Sequence, residues 1–257
     1  MATGATEKRN SVGTVPEDKK KEVIKLIRER LPERAEILLL SLTGSRAFGW
    51  ADERYDYDIH GMFACDKYWD WVHLGKNAYD INLYELKHAL FDIQYQHFVI
   101  FMNFSNPFHL HPDFDYEGLM SFCTLRAVKQ MEGNLRTQIQ RFYFDRSPRT
   151  ALHAYRIAMV ALHYIETREF ELNIYRLNEK DGYGFTMLEK LKECYLKGRY
   201  RDFDIKQVKK DLKFLYRTFK NKIAKIDEEV DMDKAEEWFN RMKERFYKGQ
   251  KVLNCQS

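Results

Sequence analysis

The sequence predicts an α+β protein: a small mixed sheet flanked by helices, followed by a helical C-terminal domain. Two apolar strand-like stretches, Ile37–Thr43 and Ile59–Phe63, lie on either side of a glycine turn and a short loop. A third stretch, Asn77–Leu86, alternates Ile81 and Leu83 with Asp80, Asn82 and Tyr84, the period of a half-buried strand. From Ala151 onward the apolar residues recur at helical spacing. The expected division is a mobile tail over 1–16, an α/β part over 17–125 and a helical part over 126–257, with the boundary inside Asp113–Thr150.

Composition narrows the class. The chain of 257 residues, 44% hydrophobic and 32% charged, is long enough to bury a core. Its net charge of +4 comes from 43 Lys and Arg against 39 Asp and Glu, which permits a polyanionic partner without demanding one. Four scattered cysteines, Cys65, Cys123, Cys194 and Cys255, form no C-x-x-C pair and read as free thiols in a reducing compartment. No apolar run has the length of a membrane span, and the N-terminus lacks a signal-peptide apolar region, so the expectation is a cytoplasmic protein with no membrane partner.

The elements follow in order. Lys19–Leu31 carries Val23, Ile24, Ile27 and Leu31 at helical spacing, and Pro32 stops that helix. Ile37–Thr43 is a buried strand that runs into Gly44–Ser45. Glycine lets a backbone approach a ligand closely, the amides after it can face an anion, and the Ser45 hydroxyl can reach a phosphate oxygen. The second strand opens with Asp56 and Asp58, which share one face because strand side chains alternate. Two adjacent carboxylates repel unless a cation lies between them, and Mg²⁺ is held by one or two carboxylates plus substrate phosphates. A phosphate cradle followed closely by two carboxylates points to nucleoside triphosphate chemistry. Pairing of the third strand beside the second would bring Asp80 next to Asp56 and Asp58. Trp69 and Trp71, in an aromatic loop after the second strand, can stack on a base but fit packing better.

The string Gly44-Ser45-Arg46-Ala47-Phe48-Gly49, followed by Tyr55-Asp56-Tyr57-Asp58-Ile59-His60-Gly61, resembles the nucleotidyltransferase signature of the DNA polymerase β superfamily, in its RNA-repair-associated branch. The likeness is specific over Gly44–Gly61 and Asp80–Leu86 and looser to about residue 225. It implies a nucleotidyltransferase catalytic domain over 17–125. The expected reaction is transfer of an NMP from an NTP to an acceptor hydroxyl, such as an RNA or tRNA end, with release of pyrophosphate. Asp56, Asp58 and Asp80 are the implied catalytic and metal-binding residues, with Mg²⁺ or Mn²⁺ as cofactor and Asp80 as general base. Gly44, Ser45, Arg46 and Arg156 are the implied nucleotide-binding residues. The same resemblance leaves open a nucleotide-binding regulatory protein without turnover, or a transferase acting on a protein or small molecule.

The remaining elements are read in turn. Glu85–Phe101 is expected to be one helix, ended before Asn106–Pro107. The family's glutamate after Asn-Pro is absent: Phe108–His109–Leu110–His111–Pro112 stands there and reads as a surface turn. Ala151–Arg168 includes His153 and Arg156, three apart on one helix face and similar to the family's His-x-x-Arg. Arg156 can clamp a triphosphate or make a structural ion pair. Three helices follow: Leu188–Arg199, one built on Ile205, Val208, Leu212, Leu215 and Phe219, and one built on Ala235, Trp238, Phe239, Met242 and Phe246. The cations Lys206, Lys209, Lys210, Lys213, Arg217, Lys220, Lys222 and Lys225 read as a solvated helix face, and the acidic Asp227–Asp233 argues against a continuous nucleic-acid track.

Overall fold

Strands β1 (Glu36–Thr43), β2 (Tyr57–Ala64), β3 (Trp71–Lys76), β4 (Tyr79–Glu85) and β5 (Pro107–Leu110) form one sheet in a computed structural model of the chain. The structure describes residues 13–52, 54–65, 71–76, 78–199 and 202–247. The strand order is β3-β4-β2-β1-β5; β2 and β4 run parallel and every other neighbouring pair is antiparallel. The architecture is mixed α+β. Two compact units divide it: a sheet unit of Thr14–Gly44, Asp56–Cys123 and the chain from Val230, and a helical unit that includes Ser45–Tyr55 and Thr124–Glu229.

Alternation decides which face of the sheet is core. Leu40 on β1, Ile59 and Phe63 on β2, Ile81 and Leu83 on β4 and Val72 on β3 point one way. They are buried against Val23 and Ile27 of helix α1 (Glu17–Arg30), which follows the i, i+4 spacing of an amphipathic helix. The Tyr79 hydroxyl donates to Glu22 Oε2 of α1 at 2.6 Å, which satisfies its polar tip, and burial pushes its pKa up to about 12.

Several expectations need correction. Residues 85–101 do not make one helix. Beyond the single-turn helix α2 (Gly44–Ala47), helix α3 (Lys87–Gln94) ends at Tyr95, Gln96 turns left-handed at φ +53°, and α4 (Phe98–Phe104) starts anew. The Gln96 amide stabilises the break by donating to Ile93 O and Phe122 O. Phe108–Leu110 is not a surface turn: it belongs to edge strand β5, with Leu40 opposite His109. The aromatic loop contains strand β3, on which Trp71 is 53% exposed rather than packed; Trp69 and the N-terminal tail to residue 12 lie outside the described residues. Cys65, Cys123 and Cys194 are buried and none is in a disulfide, and Cys255 lies outside the described residues.

The sheet unit also holds the last described helix. After helix α5 (Tyr116–Ser121), the chain returns to this unit as the helix Met232–Phe246, capped by Asp231. Its Trp238 is 1% exposed, packs edge-on against Phe114 and Phe122, and donates Nε1–H to Asp115 O at 3.1 Å.

In the helical unit, α6 (Leu125–Lys129) and α7 (Met131–Asp145) lead to α8 (Pro148–Thr167), which starts with proline in its first turn and is buried on nearly every side. Helices α9 (Ile174–Lys180), α10 (Met187–Leu196) and α11 (Ile205–Ile223) pack on α8 together with α7. Asn173 and Asp204 cap α9 and α11 by accepting from backbone amides. Asp211 of α11 is buried and accepts from Tyr155 Oη and Gln207 Nε2, each at 2.7 Å. Among the described residues no helix is long and apolar enough to cross a membrane.

Replacing Trp238 with Ala removes both the ring packing and the bond to Asp115. An urea titration should show a loss of about 3–5 kcal/mol of unfolding free energy. A loss under about 1 kcal/mol would mean that the returning helix contributes little to the sheet unit.

Candidate functional site

The face of the sheet opposite α1 is polar at one end and apolar at the other, and register arranges it in rows. Thr43, Asp58, Asp80 and Gly75 lie side by side on β1, β2, β4 and β3. The next row is Ser41, His60, Asn82 and His73, and after it Leu39, Met62, Tyr84 and Trp71. Adjacent strands lie about 4.8 Å apart, so Asp58 and Asp80 are immediate neighbours. Asp56 is exposed and stands one residue before the first residue of β2.

Gly44 explains how Asp58 is accommodated. Its φ is +66°, a conformation that glycine adopts without cost, and a Cβ there would fall inside the Asp58 carboxylate. Glycine is required at this place both by the turn and by the neighbour. Asp80 is held from the edge strand: His73 donates Nε2–H to Asp80 Oδ1 at 2.8 Å, and Asn82 Nδ2 donates to the same oxygen at 3.4 Å. His73 in turn stacks on the exposed Trp71, with centroids 5.8 Å apart and planes 5° from parallel.

His60 is fixed from the other side. Thr43 Oγ1 donates to Asn103 Oδ1 at 3.1 Å, and Asn103 Nδ2 donates to His60 Nδ1 at 3.2 Å. Asn103 sits on α4, which packs over β1 and β2. Burial lowers the His60 pKa to about 4, although the Asp80 charge opposes the shift. At neutral pH the imidazole is uncharged beside two carboxylates. His60 and Asn82 were missed as site residues, yet each is two residues beyond Asp58 or Asp80 and so shares their face. His73 and Asn103 had no such signal, because their placement depends on a strand and a helix break that the pattern does not reveal.

The other anticipated residues are in the helical unit. Ser45 follows Gly44 directly, and its carbonyl accepts from Trp50 N and Ala51 N at 3.1 Å. Arg46 donates Nε and Nη2 to Tyr55 O at 3.0 and 2.6 Å, which ties the two ends of the 45–55 loop together. The Arg156 guanidinium lies 4.4 Å over the Phe48 ring, and burial lowers its pKa to about 10. Gly49 has φ +90° and meets Asn173, whose side chain would be 2.8 Å from an added Cβ. Lys192 Nζ donates to Gly49 O at 2.9 Å, and His153 packs edge-on to Trp50 with centroids 5.4 Å apart.

A hard divalent cation suits carboxylate oxygens on neighbouring register positions, since Mg²⁺ takes one or two protein carboxylates and completes its shell with water and phosphate. Asp58 and Asp80 provide that donor set, and Asp56 is exposed just before β2. Among the described residues no group of three or more His, Cys, Asp or Glu side chains converges to hold a metal ion by itself. Comparison with known protein families and with curated proteins finds no match to this chain.

Two expectations follow. Gly44→Ala should destabilise the fold by about 1–3 kcal/mol through strain at positive φ and displacement of Asp58. Gly133→Ala, in α7 with open space around it, should instead stabilise by about 0.5–1 kcal/mol. Equal effects in thermal melts would refute the close approach at Gly44.

The second concerns pH. Burial, with Arg156, Arg149 and Arg141 nearby, lowers the His153 pKa to about 3. Below its ordinary value of about 6.5 the unfolded chain takes up a proton that the folded chain refuses. Stability from this group is present at neutral pH and is lost as pH falls from about 6.5 towards 3. Between pH 7 and 5, wild type should lose about 2 kcal/mol more than His153→Asn in urea unfolding. Parallel pH profiles would contradict a neutral buried imidazole.

Proposed function

We propose that this chain is a metal-dependent nucleotidyltransferase that moves an NMP from an NTP to an acceptor hydroxyl. The observation that carries the reading is the pairing of Asp58 with Asp80 on parallel strands, with Gly44 against the Asp58 carboxylate. A sheet built only for stability would not set two carboxylates side by side, because like charges on facing strand positions repel.

Asp58 and Asp80, with Asp56, would hold Mg²⁺ or Mn²⁺, which supplies positive charge for the triphosphate and acidifies the attacking hydroxyl. The acceptor oxygen forms a bond to the α-phosphorus, the bond from that phosphorus to the bridging oxygen of the β-phosphate breaks, and pyrophosphate leaves. Asp80 accepts the hydroxyl proton, while His73 and Asn82 keep its carboxylate in place. Gly44, at the turn after β1, lets the backbone approach a phosphate closely. Neutral His60 adds no positive charge that would compete with the cation for Asp80. An RNA or tRNA end is the proposed acceptor. Phosphoryl-type transfer asks the protein mainly for positioning and charge, which is what these residues provide.

The test is pyrophosphate release from each of the four NTPs, with Mg²⁺ or Mn²⁺, with and without a mixed RNA pool. Wild type should turn over, and Asp58→Asn or Asp80→Asn should be slower by about 10²-fold or more. Absence of release with every NTP, metal and acceptor, together with NTP binding unchanged in Asp58→Asn, would sink the reading.

A further inference from the structure

Helix α11 carries the most one-sided charge pattern among the described residues. Its nineteen residues include Lys206, Lys209, Lys210, Lys213, Arg217, Lys220 and Lys222, against one acid, Asp211. That acid is buried and bonded to Tyr155 and Gln207, so it does nothing to neutralise the outer face. Lys220 pairs with Glu132 and Lys222 with Glu166. Lys206, Lys210, Lys213 and Arg217 are exposed and make no ion pair among the described residues. Their spacing of i, i+4, i+7 and i+11 makes one stripe about 16 Å long.

Aromatic rings border this stripe. Phe214 is 53% exposed, next to Lys213 in sequence and one helical turn from Lys210 and Arg217. On the other edge Lys209 Nζ lies 4.9 Å from the ring centroid of Tyr143, which is 43% exposed. Like charges three and four apart on a helix cost about 0.2–0.5 kcal/mol per pair. Without a polyanion, the stripe weakens its own helix.

We propose that the face of α11 from Lys206 to Arg217, edged by Phe214 and Tyr143, binds the phosphate backbone of a single-stranded nucleic acid. In naming that strand as the acceptor the inference rests on the nucleotidyl-transfer reading; the binding itself does not. The phosphates meet the cations, and unpaired bases stack on the two rings, an arrangement that a duplex with its bases inside cannot adopt. A lipid surface fits less well. The apolar side of α11 (Val208, Leu212, Leu215, Phe219, Ile223) is already buried in the protein and offers nothing to insert. The acidic Asp227–Asp233 lies beyond the end of the helix, which confines the track to the first turns of α11.

The test is fluorescence anisotropy of the full chain with labelled oligouridylate and oligothymidylate of about twelve nucleotides, over a salt series. Wild type should bind with a slope of log K against log salt of about −2 to −3. Lys206→Gln/Lys210→Gln/Lys213→Gln/Arg217→Gln should lose about tenfold or more at about 0.1 M salt and flatten that slope. Phe214→Ala should lose about tenfold with the slope kept, while Lys21→Gln/Lys25→Gln on α1 should match wild type. Thermal melts check that each variant is folded. Equal binding by the stripe variant and wild type overturns the proposal. So does binding to anionic vesicles with none to either oligonucleotide. Stripe-dependent binding without pyrophosphate release would uphold this surface and fail the transfer reading. Asp58-dependent release without stripe-dependent binding would do the reverse.

Discussion

The register between β2 and β4 is the constraint on which the candidate site depends. Asp58 faces Asp80 because Ile59 faces Ile81 and Gly61 faces Leu83. A slip of one residue would expose the apolar set and bury the carboxylates, so the packing that stabilises the sheet also fixes the charged pair. Two unit charges about 5 Å apart repel by roughly 1 kcal/mol in water and by several at the effective dielectric of a protein surface. That cost is borne where β1 ends and β2 and β4 begin, and the neighbouring residues are suited to it. Gly44 makes room for one carboxylate, and His73 and Asn82 donate to the other.

The Gly44–Gly49 string has two kinds of duty. Gly44 serves the sheet unit through Asp58, whereas Arg46, Phe48 and Gly49 bind the 45–55 loop into the helical unit. Arg46 clasps the far end of its own loop, Phe48 lies under Arg156 and offers its carbonyl to Ile174 N, and Gly49 leaves space for the amide that caps α9. The residue types that suggest phosphate binding therefore also have structural partners.

The sequence made the core strands and their faces legible, because period-2 alternation is a local signal. It placed Asp58 and Asp80 on strand faces and α11 and the last helix on their apolar stripes, whereas Asp56, expected to open the second strand, precedes it. Edge strands were not legible. β3 and β5 are short and exist through pairing with β4 and β1, and Gly75 and Pro107 weigh against the strand preference of Trp71, Val72 and Phe108. The break at Gln96 was hidden for a related reason. A left-handed glutamine is unfavourable locally, and two tertiary carbonyls are needed to hold it. The chain passes between units at 123/124, and the 45–55 loop and the return at Val230 are long-range events with no compositional mark.

The two sides of the sheet show where stability and chemistry part. On the core side, Leu40, Ile59, Leu83 and Phe63 are 0% exposed, and at about 25 cal/mol per Å² their burial is a principal source of stability. The other side carries Thr43, Ser41, Asp58, His60, Asp80, Asn82 and His73, residues that contribute little by burial and require partners. Thr43, Asn103 and His60 satisfy one another in a chain, and His60 stays neutral at a cost in proton affinity. Thr43 stands in the row of Asp58 and Asp80 and His60 in the next, so the polar rows of this side are ordered by hydrogen bonds where the core side is ordered by apolar burial.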